Sequence, residues 1–398
     1  MSSDGSTPSE FKTSAVIWDL DGTVLDTETL VLEVVHHVVQ SHGKVLSPEA
    51  ATLALGMRPI EAWQAVASTL NITGQSPQDL YEQSEPLLQD RWHEAPLLPG
   101  VARLVAHLQQ HGVPLALATS TPRATLNRKL HQRADMQAAF KVACCGDEVV
   151  NGKPAPDCFL QLAQRLGLPP SECLVIEDSP AGVAAATAAG MRVVAVPSML
   201  SNGKPCDLYD KPVPDRCSGC ISLLPSLLDF RPEQFGLPAF TDTIEGTVPL
   251  HPPLRIAGTV VKGFGRGSKE LGIPTANVDA GDLRTTLAEA VTGIFAGWAS
   301  VNGQVYKTAC SIGWNPVFGN KDKTVEPWLL HTFDTDFYGA EIRLSLVAYI
   351  RPEANFESLE ALVARIHADA DVTRQALGSE AYVQHRDDPF LLPPPPQP

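Results

Sequence analysis

The first residues able to do chemistry are two aspartates in Asp19-Leu20-Asp21, directly after the apolar run Ala15-Val16-Ile17-Trp18. A short buried strand ending in acids sets them at its C-terminal edge, where ligand sites of open parallel sheets lie. Strand alternation sends residues two apart to the same side, so both carboxyls can face one crevice. Adjacent like charges are costly unless a cation binds between them or one takes a proton. Either outcome serves phosphate chemistry, because a divalent cation screens the anion while one carboxylate attacks phosphorus. Gly22 permits the sharp turn that follows.

Three more elements come in order along the chain. Thr119 follows the apolar run Leu115–Ala118, Lys153 stands in Gly152-Lys153-Pro154-Ala155-Pro156-Asp157, and Glu177-Asp178 follow Leu174-Val175-Ile176. Singly, each has a plain structural explanation: a turn, a solvated loop charge, an acidic pair favoured by a helix N-terminus. All four together, in order, at strand ends, are not explained so. The set resembles the haloacid-dehalogenase (HAD) phosphatases over residues 13–230. That resemblance implies Asp19 as the nucleophile forming an aspartyl-phosphate and Asp21 as the general acid/base. Thr119 and Lys153 would hold the phosphoryl oxygens. Asp19, Asp178 and the Asp21 carbonyl would bind Mg²⁺, with Glu177 assisting. The segment 27–95 looks like the helical cap that selects substrate. Within it, Arg58, Trp63, Trp92 and His93 are candidates for contact with a planar or phosphorylated substrate, although a tryptophan in a helix is more often core.

A second chemistry lies downstream. Lys262-Gly263-Phe264-Gly265-Arg266-Gly267-Ser268-Lys269 is a basic glycine loop, with Arg255 just before it, and glycine backbone can approach phosphate oxygens closely. Ser268 stands where a Walker A or a dinucleotide-binding fingerprint needs its last glycine, so the loop is neither. Thr275 and Asn277 in Pro274-Thr275-Ala276-Asn277 offer hard oxygens on one side of an extended chain, suited to Mg²⁺ held mostly by nucleotide phosphates. Ser311-Ile312-Gly313-Trp314-Asn315-Pro316, Glu326, His331, Tyr338 and Arg351 follow.

Residues 253–375 resemble riboflavin kinase. The resemblance implies a six-stranded Greek-key barrel that phosphorylates the ribityl hydroxyl of riboflavin with MgATP. Gly263 and Lys269 would lie at the ATP phosphates, Thr275 and Asn277 on Mg²⁺, and His331 and Tyr338 beside the nucleotide. Glu326 would be the general base, with Arg351 and Phe356 at the flavin. Ala354 departs from family members that carry a basic residue there, which puts that contact in doubt. A HAD phosphatase ahead of a riboflavin kinase resembles the bifunctional riboflavin kinase/FMN hydrolases of plants and green algae. Its small-molecule substrates would be riboflavin, FMN and ATP. Two other readings stay open for the first half: hydrolysis of another sugar or nucleotide phosphate, or a binding or dimerisation module without turnover.

These residues need two different scaffolds. Strands at 15–18, 115–118, 174–176 and 193–196, alternating with helices such as Ala181–Ala189, predict an α/β unit with a parallel sheet. A helical piece is expected at 221–230 and a Pro-rich linker at 231–252. Strands expected at 255–262, 294–301, 305–312, 328–333 and 342–350 predict a small antiparallel barrel over 253–380, with a helix from 358 to 370. Residues 1–12 read as a flexible N-terminus and 381–398 as a Pro-rich tail.

The net charge of −15 argues against non-specific binding to nucleic acid or anionic membranes. Cys217 and Cys220 form a lone CxxC with no second pair, which argues against zinc. No apolar run approaches a membrane span. The polar start lacks arginine and an apolar core, so a cytoplasmic protein is expected.

Overall fold

The computed structural model describes residues 12–47, 50–51, 57–197, 200–201, 204–205, 220–262, 273–279, 291–314 and 323–392. Gly263, Lys269, Cys217, the first eleven residues and the 393–398 tail lie outside them. The chain divides into two compact units, with the boundary between Ala239 and Phe240.

The first unit is a parallel sheet of β1 (Ala15–Trp18), β2 (Leu115–Ala118), β3 (Val142–Cys144), β4 (Cys173–Glu177), β5 (Arg192–Ala195) and β8 (Cys220–Leu223), in the order β3-β2-β1-β4-β5-β8. Continuous apolar runs such as Ala15–Trp18, with no exposed surface, are what a sheet covered on both faces requires. Ile17, Ala116 and Val175 of the sheet pack with Phe159 and Leu162 of α7 (Asp157–Leu166) and with Ala185 and Ala186 of α8 (Pro180–Ala188). Ser179 caps α8 by accepting the Gly182 N–H, and Gly190 at φ +76° follows its end. Between β2 and β3 run α5 (Arg123–Leu130) and α6 (Ala134–Ala139), and α4 (Val101–Gln110) precedes β2.

The stretch after β1 leaves the sheet and returns to it. Asp26 N–H bonds the Pro96 carbonyl at 2.9 Å and Leu98 N–H the Val24 carbonyl at 3.1 Å, so entry and exit of the insertion are tied together. Between them α1 (Glu28–Ser41), α2 (Pro59–Leu70) and α3 (Pro77–Gln89) share their own core of Leu30, Val34, Val38, Trp63, Leu80 and Trp92. An insertion with a separate core can sit over the site without contributing to the sheet.

The second unit is antiparallel: β9 (Val248–Val261), β10 (Asn277–Asp279), β11 (Gly293–Val301), β12 (Gln304–Trp314), β13 (Lys323–Leu329) and β14 (Glu341–Arg351) in the order β10-β9-β14-β11-β12-β13. The last strand, β14, lies between β9 and β11. The ring nearly closes where the Ala276 N–H donates to the Pro327 carbonyl at 2.9 Å. Helix α9 (Leu359–Ala376), capped by Ser358, follows. A two-residue pair, β6 (Leu200–Ser201) with β7 (Lys204–Pro205), lies earlier in the chain.

Several boundaries differ from expectation. Residues 221–230 are not a helix. Cys220–Leu223 adds a strand beside β5, Pro225 interrupts, and Leu227–Asp229 is a single 3₁₀ turn. The 231–252 stretch is structured rather than slack, since Phe235 stacks on Phe230 at 4.8 Å and β9 already begins at Val248. The fifth barrel strand lies at Lys323–Leu329, not 328–333, which moves Glu326 into a strand and leaves His331 beyond its end.

Residues 381–392, read as part of the tail, are folded. Tyr382 is buried, and the Trp298 indole donates to its carbonyl at 3.1 Å. Arg255 donates from Nε and Nη2 to the two oxygens of Asp388, both at 3.0 Å, and Ser345 Oγ donates to the same carboxylate at 2.8 Å. Burial alone would raise the Asp388 pKa; the Phe390 N–H, Arg255 and Ser345 outweigh it and hold the carboxyl below its usual range. A depressed carboxyl stabilises the fold above its unfolded pKa and loses that stability as pH falls through the folded one. Asp388→Ala is therefore expected to cost about 1–2 kcal/mol, the charged hydrogen bonds being discounted for the half-exposed arginine. Denaturant unfolding of the variant at pH 7 and near pH 3 checks this: the deficit should shrink at the lower pH, and equal stability at pH 7 would show that the clamp is idle.

Candidate functional site

The register of β1 and β4 builds the first site. Trp18 pairs with Ile176, and the Asp19 N–H bonds the Ile176 carbonyl at 3.0 Å, so Asp19 emerges beside Glu177 and Asp178. One oxygen from each of these three buried carboxylates lies within 4.8 Å of the others. Lys153 Nζ bonds both Asp19 and Glu177, the latter at 2.7 Å. Glu177 also accepts the Ser179 N–H at 2.7 Å, and a Cβ at Gly182 would stand 1.5 Å from its Oε1, so only glycine leaves the carboxylate room. Asp178 accepts from Thr23 Oγ1 at 3.0 Å.

The electrostatics show what this cluster lacks. Burial pushes the Asp19 carboxyl up, Lys153 opposes that, and Glu177, Asp178 and Asp21 push it up again, with a net upward result. Lys153, opposed only by its own burial, is held well above the ordinary lysine range by Asp19 and Glu177. Among the described residues, the three buried carboxylates stand against the one ammonium of Lys153, a deficit of positive charge that a hard divalent cation with oxygen ligands would fill. The donor set fits one.

Asp21 has a separate set of partners. Its Oδ1 accepts from Thr27 Oγ1 at 2.6 Å and Lys129 Nζ at 2.5 Å, and its Oδ2 accepts from Thr121 Oγ1 at 2.6 Å. Burial would raise its pKa, but Lys129 and the two hydroxyls outweigh it and leave the carboxyl below its usual value. The Thr119 hydroxyl, next to the end of β2, accepts the Thr121 N–H at 3.0 Å.

Above Asp19 and Asp21 lies a cavity of about 160 Å³. Its cap side is mostly apolar and aromatic, with Val31, Val35, Trp63, Val66, Tyr81, Leu88 and Trp92; Glu85, Thr121 and Lys129 are among its polar members. Trp63 and Trp92 thus serve both as cap core and as cavity wall. Arg58 does not line it. Its guanidinium donates to the Val149 carbonyl at 2.9 Å, gripping the loop before Lys153. His93 lies in a different cleft with His131 and Arg128.

In the second unit a cavity of about 240 Å³ brings together Thr275, Glu326, Arg351 and Phe356, with Ser311, Trp328, Glu353 and Asp369. Glu326 pairs in register with Ser311, and the closing bond from Ala276 to Pro327 sets Thr275 against the same strand. Asn277 opens β10 two residues on. Burial raises the Glu326 pKa, only partly countered by Thr324. A raised carboxyl pKa brings a base nearer its working pH. Arg351 spans the Asp369 carboxylate, at 2.7 Å for Nη2, and lies 5.7 Å over the Phe356 ring. His331 is outside this cavity, in an aromatic cluster with Tyr306 at 4.7 Å and Phe333 at 4.9 Å; Tyr338 is exposed. Arg255, read with the basic loop, is bound instead to Asp388.

Lys129 and Asp369 were not singled out from the sequence, yet a signal existed for both. Thr125, Leu126, Lys129 and Leu130 form the buried stripe of α5, and Asp369, Ala370, Thr373 and Ala376 that of α9. A charge in the apolar phase of a helix must find a partner inside.

Comparison with known proteins agrees with both halves. A haloacid dehalogenase-like hydrolase model matches residues 13–190, and a riboflavin kinase model matches residues 250–377. A bifunctional riboflavin kinase/FMN phosphatase of Arabidopsis thaliana is 43% identical over 95% of this chain and 97% of its own. A probable pseudouridine-5'-phosphatase of Drosophila melanogaster is 38% identical over 58% of this chain and 97% of its own. The riboflavin kinase of Homo sapiens is 45% identical over 35% of this chain and 92% of its own. With a hydrolase unit carrying the aspartate cluster and a barrel carrying Glu326, the chain belongs to the family of bifunctional riboflavin kinase/FMN phosphatases.

Proposed function

We propose that the N-terminal unit hydrolyses FMN to riboflavin and phosphate, and that the C-terminal unit transfers the γ-phosphoryl group of ATP to riboflavin. HAD phosphatases and riboflavin kinases as families use Mg²⁺, and the kinases use ATP. Asp19, Asp178 and the Asp21 carbonyl, with Glu177 assisting, would hold Mg²⁺, which would supply the positive charge that phosphoryl oxygens need. Asp19 attacks phosphorus, Asp21 protonates the leaving oxygen, and Lys153 with Thr119 holds the phosphoryl group. In the barrel, Glu326 takes the ribityl hydroxyl proton as that oxygen attacks in line. Thr275 and Asn277 would hold the Mg²⁺ that ATP carries, with Gly263 and Lys269 at the phosphates. His331 and Tyr338 are assigned to the nucleotide, and Arg351 and Phe356 to the flavin.

One observation supports the FMN reading: the cap wall over Asp19 and Asp21 is mostly apolar and aromatic, with Trp63, Tyr81 and Trp92, and Glu28, Ser84 and Glu85 are among its polar cap members. A glycerol or sugar leaving group would call for a predominantly hydrogen-bonding wall, whereas a tricyclic ring calls for flat apolar surface. At about 160 Å³ the cavity is below the ~300–1,000 Å³ of usual ligand pockets. The wall's chemistry, not its volume, supports the assignment. A screen of FMN, pseudouridine 5'-phosphate and glycerol 3-phosphate tests it. The highest kcat/KM is expected for FMN, and a preference for either of the others would sink the assignment.

The two activities should separate by mutation. Asp19→Asn removes the attacking carboxylate and is expected to abolish phosphate release from FMN while riboflavin phosphorylation continues at the wild-type rate. Persisting hydrolysis would place the nucleophile elsewhere. Glu326→Ala is expected to lower riboflavin phosphorylation by about 10²–10⁴-fold. Because Glu326 must be ionised to act and burial raises its pKa, wild-type kinase activity should fail on the acid side at a higher pH than an exposed glutamate would allow. A variant within about tenfold of wild type, with the same acid limb, would show that another group is the base.

A further inference from the structure

Lys129 is a core residue with only 4% of its surface exposed, and an ammonium buried to that degree is stable only if its environment repays its lost hydration. Three contacts do so. Its Nζ lies 2.5 Å from Asp21 Oδ1, 3.0 Å from Thr121 Oγ1 and 4.3 Å from the centroid of the Trp92 ring. It is the one cation lining the cap cavity among the described residues. Trp92 closes the cap segment and packs in its core, so a single ammonium joins the cap, the loop after β2 and the second aspartate. None of the four HAD motif elements includes it, and it sits one helix away from them.

We propose that Lys129 is a positioning residue of the phosphatase, holding the Asp21 carboxyl at the leaving-group oxygen and seating that carboxyl against the cap through Trp92. The inference rests on the reading of Asp21 as the acid/base. As the Asp19 oxygen bonds to phosphorus, the bond from phosphorus to the leaving oxygen breaks and that oxygen takes a proton from Asp21. The water that then hydrolyses the aspartyl-phosphate gives a proton back to Asp21. Both transfers need the same carboxyl in the same place. The Thr27 and Thr121 hydroxyls fix parts of its orientation, while Lys129 alone among its partners carries charge.

The test uses the full chain and two phosphate esters. One is the alkyl phosphate that the wild-type enzyme turns over best, whose poor leaving group needs a proton. The other is p-nitrophenyl phosphate, whose leaving group departs as a stable anion. kcat/KM reports the steps up to leaving-group departure. Lys129→Met should reduce kcat/KM for the alkyl ester by about 10–100-fold, at most the lower end of the ~10²–10⁴-fold that general acid catalysis contributes, and for the aryl ester several-fold less. Asp21→Asn should show the same split, and the Lys129→Met/Asp21→Asn double variant, which also relieves the unpaired charge, should be no slower than Asp21→Asn alone. Turnover of the aryl ester shows that each variant is folded. An equal loss on both esters, a faster Lys129→Met, or additive losses in the double variant would overturn this inference alone. A missing split in Asp21→Asn would overturn it together with the acid/base reading.

Discussion

Charge compensation at the ends of β1 and β4 is the constraint on which the first unit depends. Putting Asp19, Glu177 and Asp178 together in a buried corner is unfavourable by itself, since each carboxylate raises the cost of ionising the next. The surrounding chain is arranged to meet that cost. Lys153 is delivered from a loop between β3 and α7, the Ser179 N–H is turned onto Glu177 by the start of α8, and Gly182 leaves the space that a methyl would fill. On the proposed reading, the remaining deficit is what a divalent cation would fill.

The barrel meets a different electrostatic requirement. Burial raises the pKa of its central carboxylate, Glu326, and the role of base for a hydroxyl proton, proposed above, is improved by that. The charges near it are paired off with each other: Arg351 is engaged by Asp369, which also receives Arg365 at 3.1 Å. A fixed guanidinium can offer its flat face to a ring, as it does to Phe356, without neutralising Glu326. One unit therefore crowds its carboxylates around one ammonium, and the other raises Glu326 by burial with no cation paired to it among the described residues.

What could be read from the sequence was what repeats with a fixed period or sits in a contiguous string. Buried strands such as Ala15–Trp18 and Leu115–Ala118 were legible because both faces are covered and the apolar run is unbroken. The aspartate cluster was legible because each member ends such a strand. The partners of residues that act across the fold were not. Nothing local in Arg123–Leu130 says that Lys129 reaches a residue 108 positions earlier, and nothing in the last residues says that Asp388 binds Arg255. The 221–230 segment misled because four apolar-rich residues fit a helix or a buried strand equally well, and only its place beside β5 decides. Arg58 misled through chemistry rather than pattern: a guanidinium suits a phosphate, but it suits two backbone carbonyls as well.

On the proposed reading the two units act on one oxygen with opposite proton traffic. The barrel removes the proton from the ribityl hydroxyl through Glu326 so that the oxygen can attack phosphorus. The HAD unit returns a proton to that oxygen through Asp21 as the same bond breaks. The two carboxyls differ in their surroundings: burial raises the pKa of Glu326, whereas Lys129, Thr121 and Thr27 hold Asp21 in place and lower its own. Neither geometry could be converted to the other by a small change, because one rests on isolation and the other on Lys129, Thr27 and Thr121. Two folds on one chain are then the physical consequence of asking for both directions. Since ATP drives the kinase and hydrolysis drives the phosphatase, neither step is the reverse of the other, and running both consumes ATP without net change in flavin. The level of FMN is set by the ratio of the two rates, which a change at either site can alter without touching the other.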